Sequence, residues 1–275
     1  MNLVWAFLIL VGADAVAITA MLLVRRRAPE GSFFADGDRA SGVFGVLATG
    51  FAIFAGFVIF LAFTSYDQSR SGGEAEALTV VQQFETAQFF PEGARGRLTG
   101  QLACYGRSVI GQEWPAMEQS RLGDTLNPWS VALFKSLQQV DPKTASEQSA
   151  YDKWLDQTSD REEARRDRVH GASGIVPDSI WVVLLLTATV VFAYMLFFAD
   201  SAERARSQAM LMGSAATVVV VTLLAIYALD HPYASGIGSI RPVAMERSLR
   251  LLDQARAAVN DTMPLPCDAD GAPRA

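Results

Sequence analysis

The sequence contains little histidine, cysteine or lysine. Its 275 residues include two histidines, two cysteines and three lysines. Both histidines and both cysteines lie far apart in the chain, so they lack the spacing of a Cys/His zinc site. The net charge of −6 and a pI near 5.0 argue against a nucleic-acid binder, which needs a basic surface. We therefore expect no bound metal and no nucleic-acid partner.

The short motifs of common enzyme classes are also missing. The chain has no glycine-rich phosphate loop, no HExxH sequence and no nucleophile elbow. Gly42 and Gly45 lie inside an apolar segment, where glycine serves helix packing. No carboxylate outside the apolar segments has the apolar setting that tunes a catalytic acid or base. We predict that the protein is not an enzyme and carries no cofactor.

Long apolar segments are what the sequence has instead. Charged residues make up 19% of the chain and the mean hydropathy is +0.21, whereas ordinary soluble domains carry about 25% charged residues. Crossing a bilayer takes about 20 mainly apolar residues, and stretches this apolar satisfy their backbone only as helices. Four segments qualify, at residues 3–24, 41–64, 177–198 and 209–229. Arginines follow the first segment and none precedes it, so we interpret it as a retained anchor and not as a signal peptide.

The chain between and after these spans is predicted to be helical. Residues 65–176 place apolar side chains at three- and four-residue steps, for example Leu78, Val81 and Phe84 or Leu98, Leu102 and Tyr105. The predicted fold is an all-α integral membrane protein with four transmembrane helices and a helical extramembrane domain inserted between the second and third. The predicted parts are 1–64 and 177–230 (two spans each), 65–176 (the inserted domain), 231–260 (a turn and an amphipathic helix) and 261–275 (a disordered tail rich in proline).

Arginines in the two short loops predict the orientation of the chain. These residues are Arg25, Arg26, Arg27, Arg39, Arg204 and Arg206. Both loops are cytoplasmic only if residues 65–176 and the C-terminus lie outside. We therefore expect a multi-pass protein of a bacterial inner membrane with an extracytoplasmic domain. Cys104 and Cys267 would then share an oxidising compartment, where they either form a disulfide or remain free thiols.

One ionisable residue, Asp14, stands near the middle of the first span. Such a group costs about 2.5–3.5 kcal/mol to insert at the centre of a bilayer helix. One interpretation is an ion pathway or a proton-responsive group. The other is a protonated carboxyl group bonded to a neighbouring helix through Thr49, Thr187 or Thr217.

The second span combines small residues with phenylalanines. Small residues let membrane helices approach closely, so ordinary helix packing is one interpretation. The other is an apolar constriction, formed by several subunits, that gates a pore by dewetting. The candidate pore or gate residues are Gly45, Thr49, Phe51, Ala52, Phe54 and Gly56.

Residues 160–168 carry charges of both signs. Mixed charges at helical spacing indicate a solvated helix face with local ion pairs. The alternative interpretation is a docking or ion-attracting surface.

Several short motifs, in their order along the chain, resemble the bacterial bestrophin-like family, a domain of unknown function with four predicted membrane helices. The resemblance covers Leu22 to Glu246. The motif residues that we single out as structural or binding candidates are Glu74, Glu76, Glu113, Trp114, Arg165 and Asp230. Two residues depart from the family pattern: Asp14 is not part of it, and Tyr233 stands where phenylalanine is usual.

The resemblance implies an ion channel. Bestrophins are pentameric anion channels whose second helices line a pore with an apolar neck. In bestrophins the region between helices two and three is cytoplasmic, whereas the loop arginines of this chain place the corresponding residues 65–176 outside. We predict a homo-oligomer in a lipid bilayer that passes inorganic ions. Because the inserted domain is acidic, a cation-selective pore is an alternative to an anion-selective one. The alternative is a non-conducting membrane sensor or scaffold whose helical domain binds a partner.

Overall fold

The computed structural model describes residues 3–121, 126–236 and 238–274, and these ranges form helices without a β-strand. The helices are α1 (Leu3–Arg25), α2 (Gly37–Ala87), α3 (Glu92–Ser108), α4 (Trp114–Glu118), α5 (Pro128–Leu137), α6 (Ala145–His170), α7 (Asp178–Leu196), α8 (Ala205–Asp230) and α9 (Val243–Ala258). A π-helical turn, Val109–Glu113, joins α3 to α4, and a 3-10 turn, Gly171–Ser173, follows α6.

The chain divides into two compact units. The membrane unit comprises Met1–Thr64, Ile175–Asp230 and Ser235–Gly238, and the polar unit comprises Ser65–Gly174, His231–Ala234 and Ser239–Ala275. The four predicted spans are confirmed as helices long and apolar enough to cross a membrane. The second of them continues well past its predicted end at residue 64, because α2 runs unbroken to Ala87.

Two small clusters hold the membrane unit together. Ala17 and Met21 of α1 pack against Met212 and Ala216 of α8. The other cluster joins α2, α7 and α8, and its buried residues are Phe51, Ala55, Val58, Leu184, Ala188, Val191, Val219 and Ile226. Few residues of each span are nevertheless buried in the single chain. Lipid or further copies of the chain are therefore needed to cover it.

The two short basic loops meet at one end of the membrane unit. The Arg25 guanidinium donates to the carbonyl oxygens of Ser201 (2.9 Å) and Glu203 (2.5 Å). The Phe34 ring stacks on Tyr194 with ring centroids 5.2 Å apart. The loop after α1 and the loop after α7 are thus in direct contact.

The polar unit has one hydrophobic core. Its buried residues come from the second half of α2, from α3 to α6, from α9 and from the C-terminal segment. Leu98, Leu102 and Tyr105 are completely buried, as their helical spacing predicted. On α2 the buried core residues are Ala77, Val80, Phe84 and Ala87. Of the predicted inward residues, Val81 is half-buried and Leu78 is exposed.

Residues 261–274, which belong to the tail that the sequence predicts to be disordered over 261–275, make specific contacts within the polar unit. Cys267 forms a disulfide with Cys104 of α3, with a Cα–Cα distance of 5.7 Å. The Trp129 indole donates to the carbonyl oxygen of Gly271 (2.6 Å). Gly271 has a φ of +80°, and a Cβ there would overlap the backbone of Ser108, so only glycine fits. The proline-rich composition of this segment predicts disorder, because composition does not reveal that Cys267 forms a disulfide with Cys104.

Candidate functional site

Buried charges from α2, the π-helical turn and α6 meet in the polar unit. Glu76 and Arg168 are completely buried and Glu113 nearly so. The Nη2 atom of Arg168 donates to Glu76 Oε1 (3.0 Å) and Glu113 Oε2 (2.5 Å), and its Nε donates to Glu76 Oε2. One guanidinium therefore joins two carboxylates from separate segments of the chain. We call Glu76, Glu113, Arg165 and Arg168, with their hydrogen-bond partners, the charge network.

Both carboxylates also accept hydrogen bonds from other side chains. Arg165 Nη2 (3.0 Å) and Asn127 Nδ2 (2.9 Å) donate to Glu113 Oε1. The Tyr105 hydroxyl donates to Glu76 Oε1 (2.5 Å). Two carboxylates thus face two guanidiniums. Burying charges is tolerable only with this degree of pairing and hydrogen bonding.

Local sequence explains how α6 delivers its arginines. Arg161, Arg165 and Arg168 are spaced by four and three residues, so they share one face of the helix. That face reaches α2 at Gly72, where a Cβ would lie 2.5 Å from the backbone nitrogen of Arg168. Glycine at this position is therefore required for the close approach of the two backbones.

The π-helical turn supplies Glu113. A π-helical turn adds an extra residue to a helical turn and often marks functional positions. The next residue, Trp114, lies under the Arg168 guanidinium at 5.4 Å and meets Tyr233 edge to face at 5.6 Å. The Tyr233 hydroxyl donates to the carbonyl oxygen of Arg168 (2.5 Å). Tyrosine at 233 therefore adds a hydrogen bond that phenylalanine could not make.

Arg161 extends the network towards Tyr105. Its Nη1 donates to Gln83 Oε1 (2.6 Å), and its guanidinium lies 4.8 Å from the centre of the Tyr105 ring. A cation over an aromatic face is favourable, and more so where water is excluded.

Electrostatics keep the network charged. Burial by itself would raise the pKa of Glu113, but the Arg168 and Arg165 guanidiniums outweigh burial and lower that pKa below its ordinary value. Burial would lower the pKa of Arg168, but Glu76 and Glu113 raise it overall. Burial and the charge of Glu76 raise the pKa of Tyr105 well above its ordinary value. The network is therefore suited to hold the α2, π-turn and α6 segments together, with Glu113 ionised and Arg168 protonated near neutral pH.

The structure brings four of the six motif residues together: Glu76, Glu113, Trp114 and Arg165. Glu74 is exposed and pairs with Arg70 one turn away (3.2 Å). Asp230 belongs to the membrane unit, where its Oδ1 accepts from the backbone N–H groups of Ile175 and Val176, at 2.6 Å each. It thereby fixes the chain just before α7.

Sequence reasoning missed Arg161 and Arg168, and the solvated face predicted for residues 160–168 was wrong at three positions. Arg161 and Arg168 are buried and Arg165 is largely so, whereas Asp160, Glu163 and Arg166 are exposed. The signal was the four- and three-residue spacing of these arginines around the buried Ala164. The acids between these arginines favour ion pairs on the surface, so the sequence by itself does not distinguish a buried arginine face from a solvated one.

The pore or gate candidates of α2 separate into two groups. Gly45, Thr49, Ala52 and Gly56 are exposed. Phe51 is only 8% exposed and packs with α7 and α8, and Phe54 is half-buried against the same cluster. The large aromatic residues that α2 exposes are Phe57, Phe60 and Phe63.

Asp14 is bonded to one of its three predicted partners. The Thr217 hydroxyl of α8 donates to Asp14 Oδ2 (2.8 Å). Thr187 instead donates to carbonyl oxygens of its own helix. Across the described ranges, no three His, Cys, Asp or Glu side chains are grouped closely enough to hold a metal ion.

Comparisons with known proteins agree on one family. The Bestrophin-like domain family matches residues 11–245. Two solved variants of a bacterial bestrophin homologue from Klebsiella pneumoniae are similar in structure. One has a TM-score of 0.67 at 14% identity, covering 92% of this chain and 98% of that chain, and the other has 0.65 at 13% identity, covering 91% and 98%. At these identities the structural likeness shows the fold alone. No curated protein matches the chain.

Proposed function

This chain belongs to the bestrophin-like family, and from that premise we propose that several copies assemble into an ion channel whose pore is lined by α2. The four apolar helices and the family make it a multi-pass membrane protein. The observation that carries the pore assignment is the character of the uncovered surface of α2.

That surface is richer in small residues than the uncovered surface of α1, where the exposed small residues are Gly12, Ala15 and Thr19. The exposed large residues of α1 are bulky and apolar, as lipid contact requires, and include Leu3, Val4, Trp5, Phe7, Leu8, Ile9, Val11, Val16 and Leu23. The exposed stripe of α2 mixes Thr49 and Gly56 with Ile53, Phe57 and Phe60. Small and hydroxyl-bearing residues leave room and polar groups for a pore, while the bulky ones supply an apolar constriction. We place the constriction at Ile53, Phe57 and Phe60.

Recordings from purified protein in planar bilayers test this proposal. We expect unitary currents, and Phe57→Ala should change open probability or conductance because it widens the constriction. Leu8→Ala, on the lipid-type surface of α1, is the matched control and should leave both unchanged. A well-folded oligomer that stays silent across voltage and pH would contradict the proposal. Where currents are recorded, their reversal potentials in asymmetric salt distinguish an anion pore from a cation pore.

We also propose that the polar unit is extracytoplasmic and that the membrane is the inner membrane of a bacterium. The two arginine-bearing loops lie together at one end of the membrane unit, which is the arrangement expected of cytoplasmic loops. The polar unit holds the disulfide, and disulfides persist in oxidising compartments.

Cysteine labelling tests this orientation. The exposed positions Asp152 in the polar unit and Ser207 at the start of α8 form a matched pair. A membrane-impermeant maleimide on spheroplasts should label Asp152→Cys directly and Ser207→Cys only after lysis. The reverse pattern would place the polar unit in the cytoplasm.

A second candidate function is a non-conducting sensor or scaffold. The observation in its favour is an exposed acidic row along α6, formed by Asp152, Asp156, Asp160 and Glu163 at four- and three-residue steps. Such a row fits a basic partner surface. A monomer in detergent, or an oligomer without a continuous axial path, would favour this function over the channel.

A further inference from the structure

A cleft of about 380 Å³ lies in the polar unit beside the start of α3. Gln88, Glu92, Arg95 and Thr99 line one side of it, and residues 259–264, which follow α9, line the other. Its volume falls within the range of about 300–1,000 Å³ that is usual for small-molecule sites. The cleft is separate from the charge network, whose residues do not line it.

The side formed by the chain after α9 is fixed in place. The Asp261 carboxylate accepts hydrogen bonds from Arg256 Nε (2.9 Å), from the Thr99 hydroxyl (3.2 Å) and from the backbone N–H of Met263 (3.1 Å). Arg256 Nη2 also donates to the carbonyl oxygen of Met263 (2.6 Å). Met263 packs on Gly96, where a Cβ would lie 2.8 Å from the Met263 Cε. Because these contacts join α3, α9 and the tail, the cleft is pre-formed, as most ligand sites are.

The charged side chains around the cleft differ in whether they are paired. Burial by itself would raise the pKa of Asp261, but the hydrogen bonds from Arg256 and from the Met263 N–H lower it overall. Asp261 and Arg256 therefore compensate each other. The side chains of Glu92 and Arg95, in contrast, make no hydrogen bond or ion pair with any residue in the described ranges. They are three residues apart on α3, a spacing at which opposite charges often pair, yet they do not pair here.

The cleft therefore offers one cation and one anion to a ligand. Arg95 is half-buried and Glu92 is exposed. A simple anion would compensate only Arg95, and a simple cation only Glu92. A zwitterion compensates both, and charge-assisted hydrogen bonds to a guanidinium and a carboxylate are among the strong ones.

The side opposite these charges exposes apolar surface. Val259 is 50% exposed and Met263 is 44% exposed, and Pro264 beside them is exposed as well. Ligand sites combine apolar walls with a few polar groups that fix the orientation of the ligand. A ligand with an apolar part next to its charges fits this combination.

We propose that this cleft binds a small amino acid with an apolar side chain. The Arg95 guanidinium binds its carboxylate and Glu92 binds its ammonium group, since an amino acid carries both charges on one carbon atom. Val259, Met263 and Pro264 cover its side chain. This proposal goes beyond conduction, because it holds whether or not the protein forms a channel.

Isothermal titration calorimetry of the full-length protein in detergent micelles, with L-leucine as the probe, tests the site. We expect saturable binding of L-leucine. Binding should be roughly tenfold weaker or worse for L-leucinamide, which lacks the carboxylate, and for N-acetyl-L-leucine, which lacks the ammonium group.

Variants of α3 assign the two charges. Arg95→Gln should weaken the binding of L-leucine by roughly tenfold or more, and Glu92→Gln should have the same effect, because each removes one charge-assisted contact. Arg97→Gln removes an exposed arginine of the same helix that does not line the cleft, so it is the matched control and should bind L-leucine as the wild type does.

Three results would overturn the proposal. The first is the absence of saturable binding for L-leucine, L-valine and L-methionine, and the second is equal affinity for L-leucine and L-leucinamide. Both are measured on the wild type and depend on no variant. The third is an Arg95→Gln protein that binds L-leucine as tightly as the wild type. Calorimetry does not depend on currents in planar bilayers, so failure of this site and failure of the channel proposal remain distinguishable.

Discussion

The two units surround their inward-facing acids with different sets of donors. In the polar unit, Glu76 and Glu113 are surrounded by guanidinium, amide and hydroxyl donors. In the membrane unit, Asp14 has a single threonine hydroxyl. A carboxylate that receives several charged donors is stabilised in its ionised form, and the lowered pKa of Glu113 reflects this. The comparison teaches that the surroundings, and not the residue type, decide what a buried acid does.

The largest effect on this comparison is expected from removing the shared cation. Arg168→Ala leaves Glu76 and Glu113 buried without their common partner. Breaking a buried pair in this way costs about 3–5 kcal/mol, so we expect a strong decrease in the free energy of unfolding. Denaturant unfolding in detergent micelles measures it. Arg166→Ala, on the exposed side of the same helix, should change stability by no more than about 0.5 kcal/mol.

A smaller effect is expected from glycine substitutions that probe backbone spacing. In Gly72→Ala the added methyl group meets the backbone of Arg168 at 2.5 Å, which forces α2 and α6 apart and costs about 1–3 kcal/mol. Gly45→Ala in the membrane unit meets nothing within 4 Å, and alanine favours a helix. In thermal unfolding, the melting temperature of Gly72→Ala should therefore fall below that of the wild type, whereas that of Gly45→Ala should not. Equal melting temperatures would show that α2 and α6 do not approach this closely.

The pH dependence of the polar unit follows from the lowered pKa of Glu113. A depressed folded-state pKa means that the charge network adds stability above the ordinary carboxyl value of 4.5, and that this stability is lost as the pH falls through the lower folded value. The difference in stability between wild type and Glu113→Gln should therefore shrink on acidification. Urea unfolding over a pH series measures it. A difference that stays constant would mean that Glu113 is not paired.

The smallest effect is expected in the membrane unit. Thr217→Val removes one neutral hydrogen bond to Asp14 and keeps the shape of the side chain. Hydrogen bonds between membrane helices average about 0.6 kcal/mol, so stability should fall by about that amount. Thr187→Val, whose hydroxyl bonds only to its own helix, is the control. A loss as large as that of Arg168→Ala would show that the contact of α1 with α8 depends on this donor far more than on one neutral hydrogen bond.

Much of the fold could be predicted from composition and periodicity. The four spans follow from hydropathy, since lipid accepts only helices with satisfied backbones. Burial of Leu98, Leu102 and Tyr105 follows from helical spacing. The inward arginines of α6 were predictable in principle from their spacing, yet a charged residue on a helix face is solvated far more often than buried.

Other parts could not be predicted. The exposed surface of α2 depends on where α7 and α8 pack, and that packing buried Phe51 and left Phe57 uncovered. The sequence leaves three threonines as possible hydrogen-bond partners of Asp14, and only the contact of α1 with α8 identifies Thr217 as the donor. The ordered tail depends on a disulfide that joins residues 163 positions apart.

The amino-acid sequence by itself determined the membrane spans, the helical class and the family, because these depend on local properties: apolar length, periodicity and short motifs. Only the tertiary structure decided which charges are paired, which face of α2 is free and which acid stands alone. Those outcomes depend on contacts between residues far apart in the chain, and whether a buried charge is tolerated depends on the positions of all its partners at once.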